Sequence, residues 1–367
     1  MKRREFIKGA AVAGAATAAA TSTLSTPAIA QGVKELKLVT TWPKNFPGLG
    51  TGAERFAKRI NDMSGGSLTV KVFAAGELVP PFESFDAVSN GTADMYHGAE
   101  YYWQGKSKAF NFFAAVPYGL TATEQSAWIH HGGGQQLWDE LSAGFKVKPF
   151  MAANTGVQMG GWFNKEVNSL EDYKGLKIRM PGLGGEVLRK IGAAAVSLPG
   201  GEIFPALQSG AIDATEWVGP WNDLAFGFYK VTKYYYYPGF HEPGTTLSVG
   251  INLDVWNSLS TEHKAIIEAA ATAENDYTLA EFNARNNDSL NTLINQHNVV
   301  LKKFPDEVMY AIGEASGDVV GGVRSDSAIT AKVLDSFLKF RKQSIAWSKL
   351  SDQAYWNARI LPFKYAS

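Results

Sequence analysis

Apolar and polar positions alternate along Leu36-Lys37-Leu38-Val39-Thr40, the period of a strand, until Pro43 and Gly48-Leu49-Gly50 break the pattern. A helical run from Gly52 to Met63 follows, then a second strand, Leu68-Thr69-Val70-Lys71-Val72, and a second helix from Phe82 to Ser89. This rhythm predicts a parallel sheet with helices on its faces, an α/β fold. A short strand at Asp94-Met95-Tyr96 runs closely into Tyr101-Tyr102-Trp103, and the ends of strands in such a lobe are where ligands are held. A similar unit follows Asn154, with a strand around Lys177-Ile178-Arg179-Met180, a helix from Gly185 to Ile191 and another from Ile203 to Ser209. From Thr261 the pattern becomes long helices, interrupted near Asn298-Val299-Val300 and at Pro305. Ile329, Val333, Phe337 and Phe340 mark one apolar face of a late helix, which packs either on its own lobe or on a partner subunit.

The first thirty residues read differently. Lys2-Arg3-Arg4-Glu5-Phe6-Ile7-Lys8 sets a twin arginine ahead of an uncharged Ala/Gly/Thr stretch that ends in Pro27-Ala28-Ile29-Ala30, a small-residue cleavage site before Gln31. The uncharged run is long enough to span a bilayer, but its composition makes membrane insertion poor, so a cleaved twin-arginine signal is expected over a retained anchor. With Cys 0 there is neither a lipoprotein cysteine nor a disulfide, and a soluble periplasmic protein is expected. Removing Lys2, Arg3, Arg4 and Lys8 against Glu5 takes away +3, so the formal charge falls from +0 to −3. No basic field remains to argue for nucleic acid. The remaining chain exceeds what one compact core usually organises, and nothing in it reads as a linker or a repeat. Two lobes joined by several chain crossings are expected.

Enzyme motifs fail on inspection. Gly105-Lys106-Ser107 lacks the earlier glycine of a phosphate-binding loop, since Glu100 stands there. Gly182-Leu183-Gly184-Gly185-Glu186-Val187 has Val187 where a dinucleotide fingerprint needs its third glycine, which leaves a glycine turn for close packing. His130 and His131 are adjacent and, on a helix, point about 100° apart, too far to share a metal. No nucleophile motif is present. The run Tyr234-Tyr235-Tyr236-Tyr237 offers rings for a sugar, but successive strand residues face opposite sides, so at least some belong to the core.

Chemistry is concentrated in three other places. Asp213-Ala214-Thr215-Glu216-Trp217-Val218-Gly219-Pro220, Asn154-Thr155-Gly156-Val157-Gln158-Met159-Gly160-Gly161-Trp162 and the isolated Arg179 supply a carboxylate, an amide and a guanidinium among Gly, Trp and Pro. That is a donor set for a small organic acid held beside a cation. A planar guanidinium matches a carboxylate with two parallel charge-assisted bonds.

These stretches, with Phe73-Ala74-Ala75-Gly76-Glu77-Leu78-Val79-Pro80, Tyr101-Tyr102-Trp103 and Lys177-Ile178-Arg179, resemble the extracytoplasmic solute receptors of TRAP transporters. With Tyr234 to Gly239 added, the chain resembles the branch that binds 2-oxo acids such as pyruvate together with a metal ion. The resemblance spans essentially the whole chain and implies a two-lobe periplasmic binding protein fold with long C-terminal helices. Residues 31–153 would begin lobe I, 154–244 form lobe II, 245–300 cross back to lobe I, and 301–367 supply helices that pack on the lobes or on a partner.

The resemblance also implies roles. Arg179 pairs with the substrate carboxylate, and Gln158, Glu216, the main-chain carbonyl of Trp217 and Glu242 hold the cation. Tyr102 and Asn154 hydrogen-bond the acid. Oxygen ligands suit a hard ion, with sodium favoured by the family and calcium the alternative. A 2-oxo acid offers a carboxylate oxygen and its keto oxygen to the same ion. Glu216, Glu242 and the substrate carry −3 against +2 for Arg179 and sodium, so calcium would balance the site. His241-Glu242-Pro243 departs from a more aromatic family pattern, which leaves the exact acid open between a 2-oxo acid, lactate and a dicarboxylate. The implied partners are the membrane permease and a second copy of the chain, exchanging a late helix. An exported enzyme or a sugar-binding lectin is the reading from another class.

Overall fold

The computed structural model describes residues 33–365, and the expected export signal over 1–30 lies outside them. Eleven strands form two sheets among the described residues. The first contains β1 (Lys34–Thr40), β2 (Leu68–Phe73), β3 (Met95–Gly98), β4 (Val147–Asn154) and β10 (Thr246–Asn252), in the order β2-β1-β3-β10-β4. The second contains β5 (Gly161–Phe163), β6 (Lys177–Arg179), β7 (Ala194–Val196), β8 (Ala214–Thr215), β9 (Tyr234–Tyr237) and β11 (Val300–Lys303). Its order is β11-β9-β5-β8-β6-β7.

The helices fall around these sheets. α1 (Gly50–Met63), α2 (Ser84–Ser89), α3 (Ala122–His131) and α4 (Gly134–Ala143) precede β4. α5 (Gly182–Lys190), α6 (Gly200–Ser209) and α7 (Pro220–Phe226) belong to the second sheet's stretch of chain. α8 (Leu253–Ser258), α9 (Thr261–His297), α10 (Asp306–Gly322), α11 (Ala328–Ser348) and α12 (Asp352–Arg359) complete the described chain. None of the described helices is long and apolar enough to cross a membrane.

The sheets are mixed, where the strand–helix rhythm predicted parallel ones. β1 runs parallel to β2 and β3, and β6 parallel to β7 and β8, as helical crossovers require. β10 is antiparallel to both β3 and β4, and β5 to both β8 and β9. The cause is the two direct links between sheets, β4 to β5 and β9 to β10. A strand that enters a sheet from such a link runs against the strands that lead towards it.

α9 ties the two halves together. Ser260 caps its start by accepting from the His263 amide, and Asn298 ends it in the left-handed region at φ 56. Along its length it packs on β4 and α1 of one half and on α7 of the other. The break near Asn298 that the pattern indicated is where the chain turns into β11, which pairs in parallel with β9 at the sheet edge.

The stripe of α11 is covered by its own chain. Val333 and Phe337 are buried in this chain's own core, with the Phe337 ring 5.1 Å from Phe112 and 5.4 Å from Trp128. Ile329 and Phe340 pack against the same cluster. In this chain the stripe fills a slot beside α3 and α4. The tyrosine run is also mainly core, since Tyr235 stacks on Trp162 at 4.1 Å and Tyr236 on Phe304 at 4.6 Å.

Candidate ligand and cation site

The site is built where the chain passes between the sheets. Arg179 ends β6, and parallel pairing sets it opposite Thr215 of β8, so the next residue, Glu216, arrives beside the guanidinium. Arg179 Nη1 forms a short ion pair with Glu216 Oε1, and Nε donates to the Leu198 carbonyl at 3.1 Å. Nη2 makes only a long contact, 3.5 Å, to the Tyr102 hydroxyl. The guanidinium also lies 5.1 Å from the Trp217 ring. Burial alone would lower the Arg179 pKa, but Glu216, followed by Tyr102 and Tyr101, holds it above its usual value. The guanidinium is buried, with Arg179 1% exposed.

The two links carry the remaining groups and are stitched to each other. The Gln158 amide donates to the Glu242 carbonyl at 3.1 Å, and Gly239 returns a bond to the Gln158 carbonyl at 3.0 Å. Only glycine allows that approach: a Cβ at Gly239 would lie 2.6 Å from the Gln158 carbonyl oxygen. The stitching brings Gln158 Nε2 to 2.7 Å from Glu242 Oε2, with the Thr155 and Thr245 hydroxyls each 3.1 Å from the same nitrogen. Thr245 donates a short bond to Glu242, and the Tyr101 hydroxyl stands 3.4 Å away. Burial, then the charge of Glu216, pushes the Glu242 carboxyl up to about 7.

Tyr102 sits in a 3₁₀ turn over Glu100–Trp103, directly after β3. Its ring is 4.6 Å from Phe82, and burial raises its hydroxyl to about 12, so it acts as a neutral donor. Asn154 ends β4, and its Oδ1 accepts from the Gly156 amide at 2.9 Å. Its Nδ2 has a 3.4 Å contact to Thr246, which leaves a donor weakly engaged. The Trp217 ring packs against Trp42 at 6.2 Å and Phe226 at 5.1 Å, and among the described residues no hydrogen bond reaches its carbonyl.

Three buried polar atoms here have no partner among the described residues: Gln158 Oε1, His241 Nδ1 and Trp217 Nε1. An unmatched buried acceptor costs about 1–3 kcal/mol, so two of them beside two carboxylates are what a cation would repay. One ligand atom from each of Glu216, His241 and Glu242 lies within 4.8 Å of the others. The donor set thus fits a cation.

Residues 38–323 match the family of bacterial extracellular solute-binding proteins, family 7. The chain belongs to that family. Along 360 residues this receptor is 42% identical to the monocarboxylate 2-oxoacid-binding periplasmic protein of Nostoc sp. strain PCC 7120, covering 97% of this chain and 98% of the relative. A TRAP periplasmic solute-binding protein from Pseudoalteromonas atlantica, solved with bound sodium and pyruvate, is 39% identical with TM-score 0.86 over 90% of this receptor and 100% of that chain. A TRAP solute-binding protein from Bordetella bronchiseptica is 35% identical with TM-score 0.88 over 89% and 97%. That protein is a mixed-occupancy dimer with copurified calcium and picolinate in one active site.

The receptor's fold brings Arg179, Tyr102, Trp217, Glu216, Gln158 and Glu242 into one connected cluster. Among the described residues no hydrogen bond links Asn154 to the others. Sequence reasoning did not assign Thr155, Thr245, Tyr101 or His241 to the site. Thr155 and Tyr101 stood inside stretches already singled out, whereas His241 was visible only as a departure from the family pattern.

Proposed function

We propose that this chain is the periplasmic receptor that captures a small 2-oxo monocarboxylate of the pyruvate type together with a cation and hands both to a TRAP membrane permease. The observation that carries this is the buried, incompletely matched set of Arg179, Gln158, Glu216 and Glu242 at the two links between sheets. Arg179 offers Nη2 to the carboxylate, with Tyr102 and Asn154 as neutral donors. Gln158 Oε1, Glu216, Glu242 and the Trp217 carbonyl would hold the cation, which supplies positive charge to the acid's carboxylate and keto oxygens. Sodium and calcium, the ions of the similar proteins, both suit those oxygens. Two lobes closing about the links would remove the ion and the carboxylate from water, where their attraction strengthens. Binding needs no covalent step, so the chain acts as a receptor and not as an enzyme. We place it in the periplasm, exported through the signal over 1–30.

The exposed apolar residues Trp347, Leu350, Tyr355, Trp356 and Ile360 at the end of α11 and on and beyond α12 support a homodimer formed through that tail. Calorimetry tests the main reading. Chelator-treated protein in sodium-free buffer should bind pyruvate only weakly, and calcium or sodium should restore tight binding. Pyruvate affinity unchanged in chelator-treated, sodium-free buffer would show that no cation bridges the site.

A further inference from the structure

Of the carbonyls that follow β8, those on either side of Trp217 are used inside the chain. Glu216 O accepts from Arg179 Nη1 at 3.2 Å and from the Thr215 hydroxyl at 2.9 Å. Val218 O accepts from the Met159 amide at 3.1 Å, and Gly219 O from the Asp223 amide at 2.9 Å. Trp217 O, between them, has no donor among the described residues, and it is the carbonyl proposed to face the cation.

The group behind this peptide is Asp223. The Trp217–Val218 peptide is trans, so its N–H points opposite to its C=O. That N–H donates to Asp223 Oδ1 at 3.3 Å. Asp223 lies on α7 and is 1% exposed. Its Oδ2 accepts from the Tyr235 hydroxyl of β9 at 2.6 Å and from Trp162 Nε1 of β5 at 3.0 Å. The two rings stack at 4.1 Å, so the carboxylate is seated against a packed pair of the second sheet. Burial lifts this carboxyl up to about 7, and the bonds from Tyr235, Trp162 and Val218 oppose the lift.

Hydrogen bonds in a chain polarise one another, and an anion on a peptide N–H adds negative charge to the oxygen at the far end. A carboxylate in this place both aims the Trp217 oxygen and strengthens it as a cation ligand. We infer that Asp223 is a positioning residue for the cation, acting through the Trp217–Val218 peptide and not by touching the ion or the acid. This inference rests on the proposed co-binding of acid and cation.

The dipeptide Trp-Val occurs once in the sequence, at 217–218. The full chain labelled with carbon-13 at tryptophan carbonyls and nitrogen-15 at valine therefore gives one NMR cross-peak from this peptide. In sodium-free buffer with pyruvate, at about pH 8 where the carboxyl is ionised, calcium should move both the Trp217 carbonyl carbon and the Val218 amide proton. Asp223→Asn should move the amide proton upfield even without a cation. In calorimetry it should weaken calcium about tenfold and sodium, with half the charge, about threefold. Tyr235→Phe keeps the charge and the Val218 bond, so it should lower stability and leave the calcium-to-sodium ratio unchanged. Calcium and sodium weakened by one common factor in Asp223→Asn would make Asp223 a structural anchor only and overturn the inference. If that variant does not fold, the unsubstituted protein decides. A carbonyl carbon or amide proton that stays still while calcium and pyruvate bind together would overturn the role of Asp223 and leave the receptor reading standing. Pyruvate bound equally with and without every cation would overturn both.

Discussion

Two buried carboxylates in this molecule show how a structural charge differs from one kept for a ligand. Glu274, on α9, is fully buried, and Arg55 of α1 reaches its Oε1 through Nε at 3.0 Å and Nη2 at 2.7 Å. Thr278 donates to the same oxygen at 2.8 Å and Arg59 covers Oε2 at 3.3 Å, so the charge is matched on both sides. Glu242 is just as buried, yet its neighbours are neutral donors crowded on one oxygen, Oε2, with Glu216 close by and the Gln158 Oε1 acceptor left unpaired. The first arrangement fastens the helix that joins the halves. The second leaves the Gln158 Oε1 acceptor unmatched among the described residues, and the contrast lies in the matching of charge, not in its burial.

Glu100 stands between them. Tyr96 and Ser248 donate to its Oε1 at 2.6 and 2.7 Å, while Oε2 has no partner among the described residues. Burial pushes this carboxyl up to about 7, as it does that of Glu242, where the charge of Glu216 adds to burial.

The strongest way to break the comparison is Arg179→Ala. It removes the one cation that serves the under-matched cluster, and acid affinity should fall by about 2–5 kcal/mol, or to undetectable in calorimetry. Unchanged affinity would remove Arg179 from the site. Glu274→Ala should act on the other ledge of the comparison, lowering unfolding stability by about 3–5 kcal/mol in urea titration while the folded fraction binds pyruvate as before. Lost affinity without lost stability would mean that the two clusters have been assigned the wrong way round.

A pH series sharpens the middle case. Because the folded pKa of Glu100 lies above the unfolded value of 4.5, the native state holds the proton more tightly. The stabilisation is fully present below pH 4.5 and is lost as pH rises through about 7. Glu100→Gln should remove about 3 kcal/mol of that pH dependence from the ligand-free protein. An identical stability-versus-pH curve in the variant would show that the carboxyl titrates alike in the folded and unfolded chain. The smallest effect is expected from Gln158→Ala, which should weaken calcium binding by a factor on the order of tenfold and lower the factor by which calcium raises pyruvate affinity, a coupling that is reciprocal between the two ligands. Calcium affinity and coupling both unchanged would remove Gln158 from the cation.

Much of this was legible in the chain itself. Leu36 to Thr40 and Leu68 to Val72 announced their strands by alternation, Arg179, Gln158 and Glu216 stood in Gly-, Trp- and Pro-rich settings unlike a solvated surface, and Glu242 was named by the family resemblance alone. The antiparallel direction of β10 and β5 was not legible, since alternation carries no information about which end of a sheet a strand enters. Neither was the fate of the α11 stripe: an apolar face looks the same whether its cover is Phe112 and Trp128 of its own chain or another subunit. The sequence by itself determined which groups are available, because composition and local period are properties of neighbours along the chain. Only the tertiary structure decided that Arg179 already holds Glu216, that Gln158 and Glu242 meet across two links, and that His241 meets Glu216. Those are pairings over tens of residues, set by strand register and by close approach at Gly239, and no local pattern encodes them.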